Sequence, residues 1–280
     1  MTRLFGVIGN PIAHSLSPAM HTAAFKALRL DAVYAPVEVP RRFVAPMLRG
    51  LILAGVEGLN VTVPLKEAVV PLVDRLDPAA RAMGAVNTLV IRQRRVVGYN
   101  TDGLGFRRAL EELDWRPGPV RAVILGAGGA ARAVAWELSQ CPGSRLTIAN
   151  RTPARARRLA AWLSRARERV HVSAVALRQV RLDGVELLVN ATSVGMRASD
   201  GMPIRLEGLH RGLLVYDLVY HRQTPLVVAA RRRGCVAANG LSMLLYQGAE
   251  SFRLWWHRPP SVAAMRRALY AAVGSQGHRE

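Results

Sequence analysis

The chain is poor in cysteine, poor in lysine, short of acidic residues and without a long hydrophobic run, and each shortage excludes something. Two cysteines, Cys141 and Cys235, are too few for a disulfide framework or a four-cysteine zinc site. They read as buried structural thiols of a reducing compartment, and no metal site is expected. No apolar run reaches the ~18 residues that a membrane-spanning helix needs. The run Leu4–Ile8 meets Gly9-Asn10-Pro11 at once, which reads as a strand entering a turn and is too short for a signal-peptide core. A soluble cytoplasmic protein with no membrane partner is therefore expected.

Acids number 19 against 39 Lys and Arg, for a net charge of +20. Such a balance suggests a polyanion partner. Yet only Lys26 and Lys66 are lysines; every other basic side chain is Arg, and alanine is abundant. That choice reads as coding bias toward Arg and Ala rather than a nucleic-acid surface. No RNA-binding aromatic motif accompanies it, so no nucleic-acid partner is expected. The bias also singles out the surviving lysines, because Lys can give up a proton and Arg does not.

What is present describes a folded α/β chain. Half of the 280 residues are hydrophobic and 21% are charged, which excludes a disordered polyelectrolyte. Short apolar strands alternate with helical stretches: strands at Leu4–Gly9, Ala32–Glu38 and Gly58–Val63, helices from Ser17 to about Arg29, over Phe43–Leu53, and one starting at Pro64. Ser17-Pro18 suggests a capped helix start. Thr88–Ile91 and Val96–Tyr99 read as a hairpin. A second block, from about residue 104, gives strands at Val120–Leu125, Arg145–Ala149, Val170–Val175, Glu186–Asn190 and Leu213–Tyr216 with helices between them. Helices over Gly240–His257 and Ser261–Val273 close the chain. The expectation is a two-domain α/β protein: residues 1–103 with 240–280 as a substrate domain with a mostly parallel sheet, and 104–239 as a doubly wound Rossmann domain.

Gly126-Ala127-Gly128-Gly129-Ala130 follows the strand Val120–Leu125 and opens a helix. Glycines there let the backbone turn tightly and approach a pyrophosphate, while the helix start offers free N–H groups. A NAD site expects an acid about 20 residues past the first glycine, where it binds the ribose hydroxyls. From Gly126 to Asn150 the only acid is Glu137, inside a helix. Asn150, Arg151, Thr152 and Arg155 suit a 2′-phosphate instead, which favours NADP.

Three further clusters fit neither a helix stripe nor strand alternation. They are Gly9 to Pro18 (with His14, Ser15 and Ser17), Asn60 to Lys66 (with Thr62), and Gly84 to Thr88 continued by Gly98 to Gly103 (with Asn87 and Asp102). Asn60 and Thr62 share a strand face. Their hydroxyls and amides, with one Lys and one Asp, suit a small, hydroxyl-rich, anionic ligand. His14 is read as orienting the Ser15–Ser17 loop, His21 as a helix-face residue near it, Met243 and Tyr246 as core or pocket wall, and Trp255 and Trp256 as packing at a helix end.

In this order the clusters resemble the shikimate dehydrogenase family, over nearly the whole chain. The resemblance extends to Asn190-Ala191-Thr192-Ser193-Val194-Gly195-Met196, Tyr216-Asp217-Leu218-Val219-Tyr220, and Gly240 through Gln247-Gly248-Ala249. It implies an NADP-dependent enzyme that interconverts 3-dehydroshikimate and shikimate, on the route to chorismate and the aromatic amino acids. It implies that Ser15, Ser17 and Tyr220 bind the substrate carboxylate. Asn60, Thr62, Asn87, Asp102 and Gln247 would bind its hydroxyls, and Lys66 and Asp102 would form the catalytic pair. Gly126, Ala127, Gly128, Gly129 and Ala130 would hold the pyrophosphate, with Asn150, Arg151, Thr152 and Arg155 at the 2′-phosphate. Thr192, Ser193, Leu218 and Gly240 would lie near the nicotinamide end. A homodimer is one expected assembly.

The sequence departs from the family pattern twice. Tyr-x-Pro-x-x-Thr-Pro becomes Tyr220-His221-Arg222-Gln223-Thr224-Pro225, without the first proline and one residue shorter, and Thr22 stands where Asn is common. Two other readings compete. One is a quinate/shikimate dehydrogenase of relaxed specificity, which Ser17 disfavours because some quinate-preferring relatives carry Thr there. The other is a catalytically silent NADP-binding regulator, which Lys66 and Asp102 argue against.

Overall fold

The computed structural model describes residues 1–205 and 207–276. The C-terminal end of the expected domain, residues 277–280, lies outside them. The chain divides into two compact units, 1–105 together with 244 onward, and 106–243.

The first unit begins β1 (Arg3–Gly9), α1 (Ser17–Ala27), β2 (Ala32–Glu38), α2 (Val44–Leu53) and β3 (Val56–Val61). It continues β4 (Arg75–Leu76), α3 (Pro78–Met83), β5 (Thr88–Arg92), β6 (Arg95–Tyr99) and the start of α4 (Asp102–Glu111). Its sheet has the order β2-β1-β3-β5-β6-β4. β1 pairs in parallel with β2 and β3, and β4 with β6, whereas β5 runs antiparallel to β3 and β6. The β5–β6 hairpin turns through Gln93 and Arg94, both at positive φ (49° and 63°), the backbone of a turn whose twist matches the strands. Ile8, Leu59, Val61, Leu89 and Ile91 are buried in one apolar cluster with Leu48 of α2. Phe5, Phe25 and Trp255 form an aromatic cluster in the same unit.

Two local expectations are corrected. Ser17 is a helical residue of α1, whose N-cap is Leu16, a residue that makes no side-chain cap bond. No α-helix starts at Pro64: turns lead to a 3-10 stretch over Val70–Leu72. Pro71 has no N–H to bond the carbonyl four residues back, so an α-helix begun at Pro64 cannot run through it, and the short stretch between the two prolines turns instead. Lys66 accordingly sits in a turn.

The second unit carries β7 (Arg121–Leu125), α5 (Gly129–Leu138), β8 (Arg145–Asn150), α6 (Pro153–Ala166), β9 (His171–Ala176), β10 (Leu187–Asn190), β11 (Leu214–Asp217), α7 (Pro225–Arg232) and β12 (Val236–Asn239). All five strand pairs are parallel, in the order β12-β11-β10-β7-β8-β9. This is a doubly wound sheet. Its strand order reverses between β7 and β10, where such folds bind ligands at the carboxyl ends of the strands. The structure adds β4, α3, α7 and β12 to the expected elements. The chain returns to the first unit within α8 (Leu241–Trp256) and ends in α9 (Val262–Gln276). Among the described residues no helix is long and apolar enough to cross a membrane. Cys235 is buried, but Cys141 is half-exposed.

Candidate active site

In the first unit, Lys66 Nζ donates to Asp102 Oδ2 at 2.6 Å. The two side chains are 20% and 7% exposed, so the pair is largely withdrawn from water, where an ionic hydrogen bond is strengthened. Asp102 opens α4, and Lys66 reaches it from the turn after β3. The Lys66 carbonyl accepts from Val86 N at 2.9 Å, which fixes that turn beside the Asn87 strand.

Asn87 completes the arrangement. Its Oδ1 accepts from the backbone N–H of Thr101 at 2.8 Å. A backbone N–H only donates, so this contact decides which way the amide faces. Asn87 Nδ2 must then point at Asp102 Oδ1, 2.8 Å away, with Gln247 Oε1 at 3.4 Å. Each Asp102 oxygen thus accepts one bond from the protein, and each retains a lone pair for a ligand hydroxyl.

Asn60 is placed more deeply than its strand alternation implies. Its Oδ1 accepts from Tyr34 Oη at 2.7 Å, and its Nδ2 lies within reach of Ser251 Oγ, Asn87 O and Thr88 Oγ1. Thr88 Oγ1 donates to Asn87 Oδ1 at 3.0 Å and lies 2.8 Å from Ser251 Oγ. Asn60 therefore braces Asn87 from behind. Thr62 follows β3 and is half-buried. Ser15 Oγ accepts from Ser17 N at 3.4 Å. Ser17 is buried, and its side chain interacts with the Tyr34 phenol, whose pKa burial raises well above 10.0 against that contact.

His14 is exposed. His21 is fully buried and stacks on Tyr34, with centroids 4.5 Å apart and planes 10° apart. Burial lowers its pKa to about 3, with the Asn60 side chain opposing, so its ring stays neutral and packs. Trp255 is fully buried, and its indole N–H donates to Leu89 O at 2.9 Å. Trp256 packs on Phe5 and lies under the Arg3 guanidinium, 3.8 Å from ring to cation.

In the second unit, Gly126 lies at φ +108°, and a Cβ there would come within 2.7 Å of Ala191 O. Gly126 N donates to Ala149 O, and Ala191 N to Leu125 O, so the turn sits at the ends of β7, β8 and β10. A Cβ at Gly128 or Gly129 would meet nothing within 4 Å. This backbone is open to an incoming group, and it leads into the start of α5, whose first N–H groups have no helical partner. Asn150 ends β8 and donates to Thr152 O at 3.0 Å. Arg151, Thr152 and Arg155 are exposed. Thr192 N and Oγ1 donate to Asn190 Oδ1, and Ser193 is exposed. Gly240 abuts the Leu218 carbonyl so closely that a side chain would collide with it. Tyr220 packs edge-on against His221, at 5.9 Å and 90°, and burial raises its pKa above 10.0. Among the described residues, no group of three His, Cys, Asp or Glu is arranged to hold a metal.

Comparison with known families accounts for most of the chain. The profile of the shikimate dehydrogenase substrate binding domain matches residues 7–89, that of shikimate/quinate 5-dehydrogenase 112–196, and that of the shikimate 5'-dehydrogenase C-terminal domain 240–270. A curated shikimate dehydrogenase (NADP+) of Rubrobacter xylanophilus is 49% identical over 271 residues, 96% of this chain and 95% of that one. The chain belongs to the shikimate dehydrogenase family.

Solved structures of family members agree with the fold. A shikimate dehydrogenase in complex with NADP+ superposes with a TM-score of 0.92 at 38% identity, covering 97% of this chain and 96% of its own. The Thermus thermophilus shikimate 5-dehydrogenase in complex with NADP(H) and shikimate gives 0.87 at 36% identity, covering 97% and 100%. Against this family background, sequence reasoning missed Tyr34, Thr88, Thr101 and Ser251, which hold Asn60 and Asn87. Thr88 and Thr101 carried a readable signal, since each adjoins a chosen residue. Ser251 carried none, because a serine on a mostly apolar helix is ordinary.

Proposed function

We propose that this chain is an NADP-dependent shikimate dehydrogenase, reducing 3-dehydroshikimate to shikimate and running in reverse. The observation that carries the reading is the Lys66–Asp102 ion pair, with Asn87 oriented toward it by the Thr101 N–H. Reducing a ketone requires a hydride at carbon and a proton at oxygen. NADPH supplies the hydride when bound. The Lys66 ammonium donates the proton to the carbonyl oxygen, and in the reverse direction the amine takes it back. Asp102 holds the Lys66 nitrogen in place and accepts a bond from a ring hydroxyl through its remaining lone pairs. Asn87, Thr62 and Gln247 bind further hydroxyls, and Asn60 acts chiefly by bracing Asn87. Ser15 and Ser17, with Tyr220, take the carboxylate.

The second unit fits NADP. The open backbone at Gly128 and Gly129 suits a pyrophosphate at the start of α5. Arg151 and Arg155, exposed beside Asn150 and Thr152, suit a 2′-phosphate. Thr192, Ser193, Leu218 and Gly240 are assigned to the nicotinamide end. The reading carries with it a cytoplasmic location, no nucleic-acid partner and a homodimer, the last of which light scattering on the purified protein tests.

Purified protein mixed with shikimate and NADP should raise NADPH absorbance. No turnover with shikimate or quinate, with either NADP or NAD, sinks the reading.

A further inference from the structure

Asp217 is a fully buried carboxylate that the reaction chemistry does not use. Its Oδ1 accepts from Asn190 Nδ2 at 2.9 Å and from Val219 N at 3.1 Å, and its Oδ2 from Thr224 Oγ1 at 2.6 Å. These donors are all neutral, and they come from three places: the end of β10, the segment after β11 and the N-cap of α7.

Each partner shapes a loop in turn. Asn190 accepts from Thr192 N and Oγ1 and donates to Val194 O, closing the turn 190–194. Thr224 caps α7 by accepting from Val227 N, and its methyl lies against Gly195, which takes φ +103°. His221 Nε2 lies 2.9 Å from Met196 O. That contact ties the same two loops together at their rim, in the segment that lacks the family's proline. Burying a carboxylate costs free energy unless it is well bonded; burial raises the pKa of this one, and Thr224, Val219 and Asn190 oppose the rise.

We propose that Asp217 is a positioning residue: through Asn190 and Thr224 its carboxylate fixes the loops 190–196 and 218–224, and with them Thr192, Ser193, Leu218 and Tyr220. This rests on the dehydrogenase reading for what those four residues touch. The test uses the full chain with Asp217→Asn, read by hydrogen-exchange mass spectrometry without ligand and by NADPH fluorescence titration. Asparagine keeps the shape, but its amide N–H must face either the Asn190 and Val219 N–H groups or the Thr224 hydroxyl, which then loses the acceptor it donates to. Exchange should accelerate in both loops while β7, β8 and β9 stay protected, and the NADPH Kd should rise about tenfold, the effect of one lost hydrogen bond. Should Asp217→Asn not fold, Thr224→Val, which removes the hydroxyl, should reproduce the effect, and Thr224→Ser, which keeps it, should restore wild-type values. An unchanged Kd, or exchange that rises evenly over the whole sheet, or a Thr224→Ser as impaired as Thr224→Val, overturns the proposal. An unmutated protein that binds NADPH but never oxidises shikimate instead sinks the dehydrogenase reading alone.

Discussion

Around Lys66 and Asp102 the first unit presents side chains that bond to one another: Asn87 to Asp102, Thr88 to Asn87, Asn60 to Ser251. After β7 the second unit presents almost none, only a glycine turn with open space beside two of its α-carbons. The two regions teach different rules of vulnerability. If the side chains of the first carry the chemistry, removing atoms should do the damage. If the backbone of the second does the binding, adding atoms should.

Five substitutions test that contrast, beginning with the largest expected effect. Lys66→Ala should lower turnover by about 10²–10⁴, the usual loss for a general acid–base group, and should leave NADPH binding nearly intact. Unchanged steady-state turnover would remove Lys66 from its role. Gly126→Ala forces a side chain onto φ +108° and toward Ala191 O. A cost of about 1–3 kcal/mol is expected for such backbone strain, seen in denaturant unfolding together with lost NADP binding. Gly129→Ala is its control: stability should hold or rise slightly, because the position is open and helical, while the added methyl weakens NADP.

His21 tests how dry the first network is. In the folded chain the ring stays neutral down to about pH 3, whereas unfolded it titrates near 6.5. Its stabilising contribution is therefore complete above pH 6.5 and lost as pH falls toward 3. Relative to His21→Leu, the wild type should lose about 2 kcal/mol between pH 7 and pH 5. Stability curves that run parallel for the two proteins would contradict the burial argument. Arg151→Ala should be the mildest. An exposed cation contributes about 1 kcal/mol, so NADP affinity should fall about fivefold with NAD unaffected; equal losses in calorimetric titrations would undo the 2′-phosphate assignment.

The doubly wound sheet and the glycine turn were legible because both are local patterns: an apolar run, three glycines, then a helix. The Lys66–Asp102 pair was legible through motif resemblance and through lysine scarcity. What escaped were matters of depth and of competing local rules. Strand alternation says that Asn60 and Thr62 share a face, but not that Tyr34 and Ser251 already occupy the Asn60 amide. Ser17-Pro18 carries the letters of a capped helix, yet the helix begins at Ser17 itself, and the serine side chain meets the Tyr34 phenol instead. The prolines at 64 and 71 outweigh an otherwise acceptable helical composition. Short elements such as β4 and β12 depend on neighbours far along the chain and leave almost no periodic trace.

Trp255 has a consequence for how the molecule is made. Its indole is bonded to Leu89 and lies so close to Gly58 that a side chain there would collide with it, yet it leaves the ribosome some 160 residues after β5 is complete. The intervening unit is continuous in sequence and can close its sheet as soon as β12 emerges. The first unit must wait, holding six strands without the aromatic plug that completes one side of their core. Nascent chains cut just before α8 should therefore contain a protease-resistant 106–240 segment and a vulnerable N-terminal third, and long-range contacts of this kind make the final step slow.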